Sequence, residues 1–376
     1  MLKNKPKKKI VFFSSKIDSG GAEKHLVRLI NALANKSNLE LTLIVTVAGG
    51  NYESLLNPTI RLIPLLNQSG SYTASMVKAF LLLKKQIKEI QPDLIFSIQD
   101  GPNVVMLMRT FFSEIPVIIG VQNNPIIDLN RTPITKAIKW IATKLYPRAK
   151  HMIALSAGVA SDYLHLVPKL QGKLSVVPNV GWPENVKTKE DVVCKKPIQL
   201  LAVGRLEEQK DYATFFNALA LLKQKNQSFK LTILGRGAKE EELKDLRKEL
   251  NLEDEIVFKG FTSDVSTYFY NSDIFVLSSK WEGFGNVIVE AMAHGLPVIS
   301  SDCPHGPSEI IENRKNGLLF EVGNALQLSE YIQELTENEL LRKELMVNGL
   351  ERANMFKPEK IAEKYYEIFD EFLCVE

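Results

Sequence analysis

Two carboxylates and two cations carry the chemistry legible in this chain. Glu282 and Glu290 stand eight residues apart within the stretch 278–311, and Arg205 and Lys210 share an earlier loop. The apolar run Ile274–Leu277 reads as a buried strand. A loop with Gly283 and Gly285 follows, the spacing predicts a helix from about Asn286 to His294, and Gly295-Leu296-Pro297 turns the chain into a strand at Val298–Ser301. The helix is apolar almost all round, from Val287 to Ala293, a composition that buries. Glu290, one turn in, is favoured by the helix dipole but costly to desolvate without partners. The glycines let backbone come close to a ligand, and the free N–H groups of the helix start attract an anion. A diphosphate there, with both glutamates accepting hydrogen bonds from hydroxyls, describes a nucleotide-sugar pocket. A plainer reading stands beside it: Glu290 paired with His294 one turn later, and Glu282 solvated in its loop.

Arg205 and Lys210 follow a strand at Ile198–Val203 that ends in Gly204. Two cations at the C-terminal edge of a strand can hold a diphosphate, each charge-assisted bond being worth about 1.5–3 kcal/mol. Leu231–Leu234 with Gly235-Arg236-Gly237, and Ile256–Phe258 with Gly260-Phe261, repeat the strand-then-glycine pattern. The first half has the same rhythm. A strand at Ile10–Ser14 leads through Asp18-Ser19-Gly20-Gly21-Ala22-Glu23 into a helix reaching about Lys36. Further strands fall near 41–47, 60–64, 93–97, 116–121, 152–155 and 174–177, with helices near 73–90 and 103–112. Strands alternating with helices imply parallel doubly wound sheets, which bind ligands at their C-terminal edge. Gln122, Asn123 and Asn124 close the strand at Val121 on that edge, although turn chemistry accounts for them equally.

At 376 residues the chain exceeds what one core supports, so two domains are expected. With 45% hydrophobic and 24% charged residues it is an ordinary globular composition. No apolar run reaches the ~18 residues of a membrane span, and no signal segment follows the basic start. Cys194, Cys303 and Cys374 are scattered and odd in number, as in a reducing cytoplasm. Neither paired-cysteine nor His-Glu-x-x-His spacing is present, nor Asp-x-Asp, so no metal is indicated; Gly-x-Gly-x-x-Gly and a Walker lysine are missing too. The net charge of +3 hides an asymmetry: residues 1–180 hold 23 Lys+Arg against 10 Asp+Glu, and the remainder 24 against 34. Lys3, Lys5, Lys7, Lys8 and Lys9 form a basic lead-in that reads as a solvated tail or a membrane contact. Residues 134–150 interleave Lys136, Lys139, Lys144, Arg148 and Lys150 with Ile138, Trp140, Ile141 and Leu145. Such a helix lies on an anionic membrane surface or turns its apolar side to its own core.

Together these motifs resemble glycosyltransferase family 4, retaining enzymes of GT-B architecture, along nearly the whole chain. The resemblance rests on Gly20-Gly21-Ala22-Glu23, Val203-Gly204-Arg205-Leu206 with Gln209-Lys210-Asp211, Leu234-Gly235-Arg236-Gly237, and above all Glu282 and Glu290 within 279–309. It implies an α/β fold of two Rossmann-like domains facing across a cleft: an acceptor-binding domain at 1–180, a linker at 181–196, a donor-binding domain at 197–356, and a last helix within 357–376 crossing back to the first. Arg205 and Lys210 would bind the donor diphosphate and stabilise the departing nucleotide. Glu290 would hold ribose hydroxyls. Glu282, with the backbone of Phe284, Gly285, Asn286 and Val287, would hold the donor sugar. Gly20 and Gly21 would cover the phosphates, Gly204 would line the donor site, and Phe261 would lie beside the base. Many relatives place a histidine where this chain has Gln122, Asn123 and Asn124 on the acceptor side. The segment 302–309 resembles members that use UDP-hexoses or UDP-N-acetylhexosamines in surface-glycan assembly. The implied activity is metal-independent, retaining transfer from a UDP-sugar to a hydroxyl of a lipid-linked glycan. It would need no cofactor, bind no nucleic acid, and take place in the cytoplasm at the inner membrane face. A nucleotide-sugar epimerase of the same outline, or a non-catalytic nucleotide-sugar or membrane-binding module, are the competing readings.

Overall fold

The computed structural model describes residues 6–373 apart from 19, 69, 128–131, 192–195 and 263. Lys3 and Lys5 of the lead-in, Ser19 of the glycine loop, part of the 181–196 stretch, Cys194 and Cys374 lie outside the described residues. The chain forms two compact units, Met1–Val180 resuming at Pro358, and Gly181–Lys357.

In the first unit the strands are β1 (Lys8–Ser14), β2 (Leu39–Val47), β3 (Arg61–Leu66), β4 (Leu94–Ile98), β5 (Val117–Val121), β6 (His151–Ala154) and β7 (Leu174–Val176). They form one sheet in the order β3-β2-β1-β4-β5-β6-β7, and every pairing is parallel. Helices α1 (Gly21–Leu33), α2 (Tyr72–Ile90), α3 (Asp100–Arg109), α4 (Pro133–Leu145) and α5 (Ala157–Leu166) connect them. Strands covered on both faces are continuous apolar runs. In β1, Ile10, Val11, Phe12 and Phe13 are all fully buried, with Phe12 level with Leu43 of β2 and Phe96 of β4.

The second unit repeats the plan with β8 (Ile198–Val203), β9 (Phe229–Leu234), β10 (Ile256–Gly260), β11 (Ile274–Leu277), β12 (Val298–Ser301) and β13 (Leu318–Phe320) in the order β10-β9-β8-β11-β12-β13. Its helices are α6 (Tyr212–Gln224), α7 (Glu240–Glu249), α8 (Ser266–Asn271), α9 (Asn286–Ala293), α10 (Pro307–Ile310), α11 (Ala325–Glu337) and α12 (Glu339–Ala353). The residue pattern does not reveal β13, α11 and α12. Three residues are too few to show a period, and the two helices are separated only by Asn338, whose side chain accepts from Leu341 N at 3.0 Å and so caps the second.

The last helix, α13 (Pro358–Leu373), belongs to the first unit and packs on α1. Its Ile361, Tyr365 and Phe369 join the core of β1 and β4, where the Phe369 ring lies 6.1 Å from Phe12 and 5.5 Å from Phe96. No helix among the described residues is long and apolar enough to cross a membrane.

In both sheets the strand order reverses once. The first chain half leaves β1 for β2 and β3, then returns to β4 on the other flank of β1. The second leaves β8 for β9 and β10 and returns to β11. Loops diverge at such a point and open a crevice at the C-terminal ends of the strands. In the second unit this point lies between β8 and β11, and in the first, separately, between β1 and β4.

Candidate active site

In the second unit, the β8/β11 reversal brings together residues more than seventy positions apart. Lys210 lies in a short 3₁₀ turn (Glu208–Lys210) after β8, and Glu282 in the loop after β11. Lys210 Nζ donates to Glu282 Oε1 at 2.5 Å, and both side chains are largely buried. Ser279 Oγ donates to the same oxygen at 2.7 Å, while Ser301 Oγ at the end of β12 donates to Ser279 O at 2.6 Å. Ser278 Oγ donates to Lys210 O at 2.8 Å. Glu282 is therefore no solvated loop residue: it is the buried acceptor of a network spanning three strand ends. The solvated-loop reading is corrected because closing the two loops on each other removes its water.

Gly204 matters here for space. A Cβ on it would lie 2.9 Å from Lys210 Cε, so the lysine stem crosses bare backbone. Gly235, with φ near +147°, runs against the same turn: its Cβ would meet Gly204 O at 1.9 Å. Backbone ladders continue the contact, Gly204 N to Leu234 O at 2.9 Å and Leu206 N to Arg236 O at 3.0 Å. The glycines of both strand ends thus serve one close approach of two loops.

Arg205 is exposed at the same edge. Its Nη2 donates to Gln209 Oε1 at 3.3 Å, and Gln209 Nε2 donates to Trp281 O at 2.9 Å. Gln209 so ties the arginine to the Glu282 loop. Residue type alone does not single it out, nor Ser279 and Ser301; in the sequence Gln209 figures only within the Gln209-Lys210-Asp211 motif.

Gly285, at φ 94°, turns the chain left-handed into α9, whose start carries no side-chain cap. Phe284 is buried and stacks edge-on against Phe356 at 5.4 Å, so it can offer a ligand only backbone. Asn286 and Val287 are half-buried at the helix start, Glu290 is buried one turn on, and Phe261 is half-exposed after β10. His294 stands one turn after Glu290, at the end of α9. Its Nδ1 lies 2.7 Å from the Glu290 backbone carbonyl, and its ring stacks on Phe269 with centroids 5.0 Å apart. The imidazole thus completes the helix end. Cys303, buried behind the Glu282 loop, has its thiol pushed up to about 12 by burial and then by the Glu282 charge, which leaves it inert as a nucleophile. A cavity of about 640 Å³ opens beyond β12 and β13, lined by Asp302, Glu321 and Glu330 among others. It contains neither Arg205 nor Lys210, and its carboxylates repel an anion.

In the first unit the β1/β4 reversal carries its own polar cluster. Gln99 follows β4 at φ 77°, rare for a side-chain-bearing residue. Its Oε1 accepts from Ser15 Oγ at 3.0 Å, and its Nε2 donates to Glu23 Oε1 at 2.8 Å. Glu23 folds back over Gly20 at the start of α1, and Gly21 is exposed. Gln122 is buried and accepts from Asn179 Nδ2 at 2.9 Å. Asn124 Oδ1 accepts from the N–H groups of Ile126 and Ile127 at 2.8 and 3.0 Å, which is turn chemistry, and Asn123 is exposed. Gln99 and Asn179 are missed by residue reading because no motif of charge or spacing marks them, whereas Glu23 closes the Gly20–Glu23 motif. The structure brings Arg205, Lys210, Gly204 and Glu282 to one edge with α9, and Gly20, Gln122 and their neighbours to the matching edge of the other sheet.

The chain matches two family models, Glycosyltransferase Family 4 over residues 19–180 and Glycosyl transferases group 1 over residues 186–352. It is 30% identical to an N-acetylgalactosamine-N,N'-diacetylbacillosaminyl-diphospho-undecaprenol 4-alpha-N-acetylgalactosaminyltransferase of Campylobacter jejuni, over 94% of this chain and 97% of that one. It is 27% identical to a second alpha-1,4-N-acetyl-D-galactosaminyltransferase of the same organism, named for a diphospho-undecaprenol-linked substrate, over 96% and 98%. Among solved structures, Anabaena HepE in complex with UDP superposes with a TM-score of 0.77 at 19% identity, covering 96% of this chain and all of that one. A sucrose-phosphate synthase from Thermosynechococcus elongatus gives 0.85 at 20% identity, covering 98% and 100%. These structures establish the GT-B fold.

Proposed function

This chain belongs to the group 1 and family 4 glycosyltransferases, and on that premise we propose that it moves a hexose or N-acetylhexosamine from a UDP-sugar to a hydroxyl of a lipid-linked glycan, in surface-glycan assembly. Transfer retains the anomeric configuration and uses no metal. The observation that carries the reading is the Lys210–Glu282 pair at the β8/β11 reversal, held by Ser279 and flanked by Arg205. Lys210 has three donor protons and uses one on Glu282, so the others remain for phosphate oxygens. As the bond from the anomeric carbon to the diphosphate oxygen breaks, negative charge grows on that diphosphate. Arg205, Lys210 and the uncapped start of α9 stabilise it, which is electrostatic catalysis by groups already in place. The acceptor oxygen bonds to the same face of the anomeric carbon, and its proton passes to the departing diphosphate. Glu282 holds donor-sugar hydroxyls and Glu290 the ribose, while Gly20 and Gly21 let the first unit's backbone approach the phosphates. The names of the Campylobacter relatives support a diphospho-undecaprenol-linked acceptor, and the UDP-glucose complex of HepE supports a UDP-sugar donor.

A thermal-shift panel of nucleotides and nucleotide sugars, without added metal, tests the donor. A nucleotide at 100 times its dissociation constant adds roughly 2.7 kcal/mol of stability. UDP and one UDP-sugar should shift the transition. A shift confined to GDP or ADP compounds would overturn the donor assignment, and no shift with any of them would overturn the transferase reading. The configuration of the product's new linkage, read by proton NMR coupling, checks retention.

A further inference from the structure

A cavity of about 350 Å³ lies between the C-terminal half of α2 and the end of α3, lined by Lys84, Lys88, Gln91, Arg109, Thr110 and Ser113 among others. None of its three cations forms an ion pair among the described residues, although Lys85 one position away pairs with Glu89. The Arg109 guanidinium lies 5.2 Å from the ring centre of Phe80, which fixes it at the cavity wall. Cations gathered around a hollow with hydroxyl and amide groups suit an anion with several acceptor oxygens, as a phosphate has.

The surroundings say where that phosphate comes from. Val77, Leu81, Lys84 and Lys88 recur at helical spacing and so share one face of α2, apolar in its first half and basic in its second. Val77 and Leu81 are 58% and 66% exposed, and Phe112, just past α3, is 97% exposed. The neighbouring α4 adds Trp140 at 68% and Ile134 at 50%. Its other apolar residues, Ile138, Ile141 and Leu145, are only half-buried, so α4 turns no more than part of its apolar side inward. Arg148 links the two regions, its guanidinium 3.7 Å from the centre of the Phe111 ring and bonded to Phe111 O at 2.7 Å. α2 packs on α3 and α3 on α4, so these groups lie on one layer of helices. Between residues 72 and 90 and between 133 and 150 stand nine lysines and arginines against one carboxylate, Glu89. α3 adds Arg109 and the buried Asp100, and Glu114 follows it.

We propose that this layer is the protein's membrane-docking face, with the phosphate of an anionic lipid headgroup seated among Lys84, Lys88 and Arg109 and with Leu81, Phe112 and Trp140 entering the interfacial zone. Basic residues at an anionic surface and exposed aromatic and aliphatic side chains are the two contributions that hold a peripheral protein there. The proposal deepens the reading of a lipid-linked acceptor by placing the enzyme at the surface that carries it. It adds the α2 and α3 groups to the membrane contact read at residues 134–150.

The test is co-sedimentation of the full chain with phosphatidylcholine vesicles that contain or lack phosphatidylglycerol. The wild-type protein should partition onto the anionic vesicles only. Lys84→Gln/Lys88→Gln should lower that partition roughly 30-fold, and Phe112→Ser should lower it as well, both keeping the UDP-induced thermal shift of the parent. Equal binding to both vesicle types, or a double variant that binds as the parent does, would overturn the proposal. So would stabilisation by glycerol phosphate in solution without any partition onto vesicles, which would make the cavity a site for free phosphate. Loss of the UDP shift in the parent would strike the donor reading and leave the docking result standing.

Discussion

Lys210 and Glu282 are mostly shielded from water, and neither can lose its partner cheaply. Breaking a buried pair from one side costs about 3–5 kcal/mol, because the remaining charge is left without compensation. Lys210→Ala should therefore lower both stability and turnover, and stability alone would be an ambiguous readout. Lys210→Met/Glu282→Gln removes both charges and should recover most of the lost stability, seen in denaturant unfolding, while turnover stays at least about 100-fold below the parent. Arg205→Ala removes an exposed side chain whose bond is to Gln209. It should leave stability within about 0.5 kcal/mol and still reduce turnover on the order of 100-fold. Near-normal turnover in Arg205→Ala and the double variant would dismiss leaving-group stabilisation by these cations. On sequence grounds Glu282 is open between ligand and solvated residue, and the three-strand network excludes the solvated reading.

At the scale of elements, the informative case is the return of α13 to the first unit. His25 on α1 is fully buried, its Nδ1 accepts from Val180 N at 2.9 Å, and its Nε2 lies 3.3 Å from Tyr365 Oη. One neutral ring thus joins α1, the end of the first chain half and α13. Burial, and then the neighbouring Arg28 charge, lower its pKa from 6.5 to about 3. The unfolded chain takes up a proton near pH 6.5 and the folded chain does not until near pH 3. The stability due to the neutral ring is complete above pH 6.5 and is lost as pH falls from there toward 3, at about 1.4 kcal/mol per unit. Between pH 6.5 and 5 the parent should lose stability more steeply than His25→Gln by about that slope; parallel curves would show that the ring protonates in place. The nearby cluster of Asp100, which accepts from Tyr146 and Tyr163 hydroxyls at 2.6 Å each, fixes α3 against the segments after α4 and β6 in the same manner.

Over the whole molecule, charge follows the division into units. The first unit, 1–180 with 358–376, holds 25 Lys+Arg against 16 Asp+Glu, an excess of 9 positive charges, and the helix layer α2–α4 holds many of them. The second unit, 181–357, holds 22 Lys+Arg against 28 Asp+Glu, an excess of 6 negative charges, yet its β8/β11 edge presents Arg205 and Lys210. An acidic surface with a cationic crevice steers an anion to the crevice and discourages it elsewhere. If those side chains and the α9 start supply the charge stabilisation, a chelator such as EDTA should leave turnover from a UDP-sugar unchanged. A loss restored by a divalent cation would instead give the diphosphate's neutralisation to a metal.

By itself the sequence determined the class of fold and marked most of the residues proposed for the site, for definite reasons. Strands such as 198–203, 274–277 and 298–301 are short apolar runs closed by glycine or polar turns, and local pattern suffices to mark them. Arg205, Lys210 and Glu282 are charged residues in glycine-bearing loops after strands, and Glu290 is the one charge of an apolar helix, places where charge has few structural uses. Only tertiary structure could decide what those charges touch. The Lys210–Glu282 pair, the Gln209 bridge and the Ser15–Gln99–Glu23 cluster join residues 72 or more positions apart, and a contact made by closing two sheet-edge loops leaves no period in the chain. For the same reason α4 read as either a core-facing or a membrane-facing helix. Amphipathicity states that a helix has an apolar side, and only the neighbours it packs on decide which part of that side stays in water.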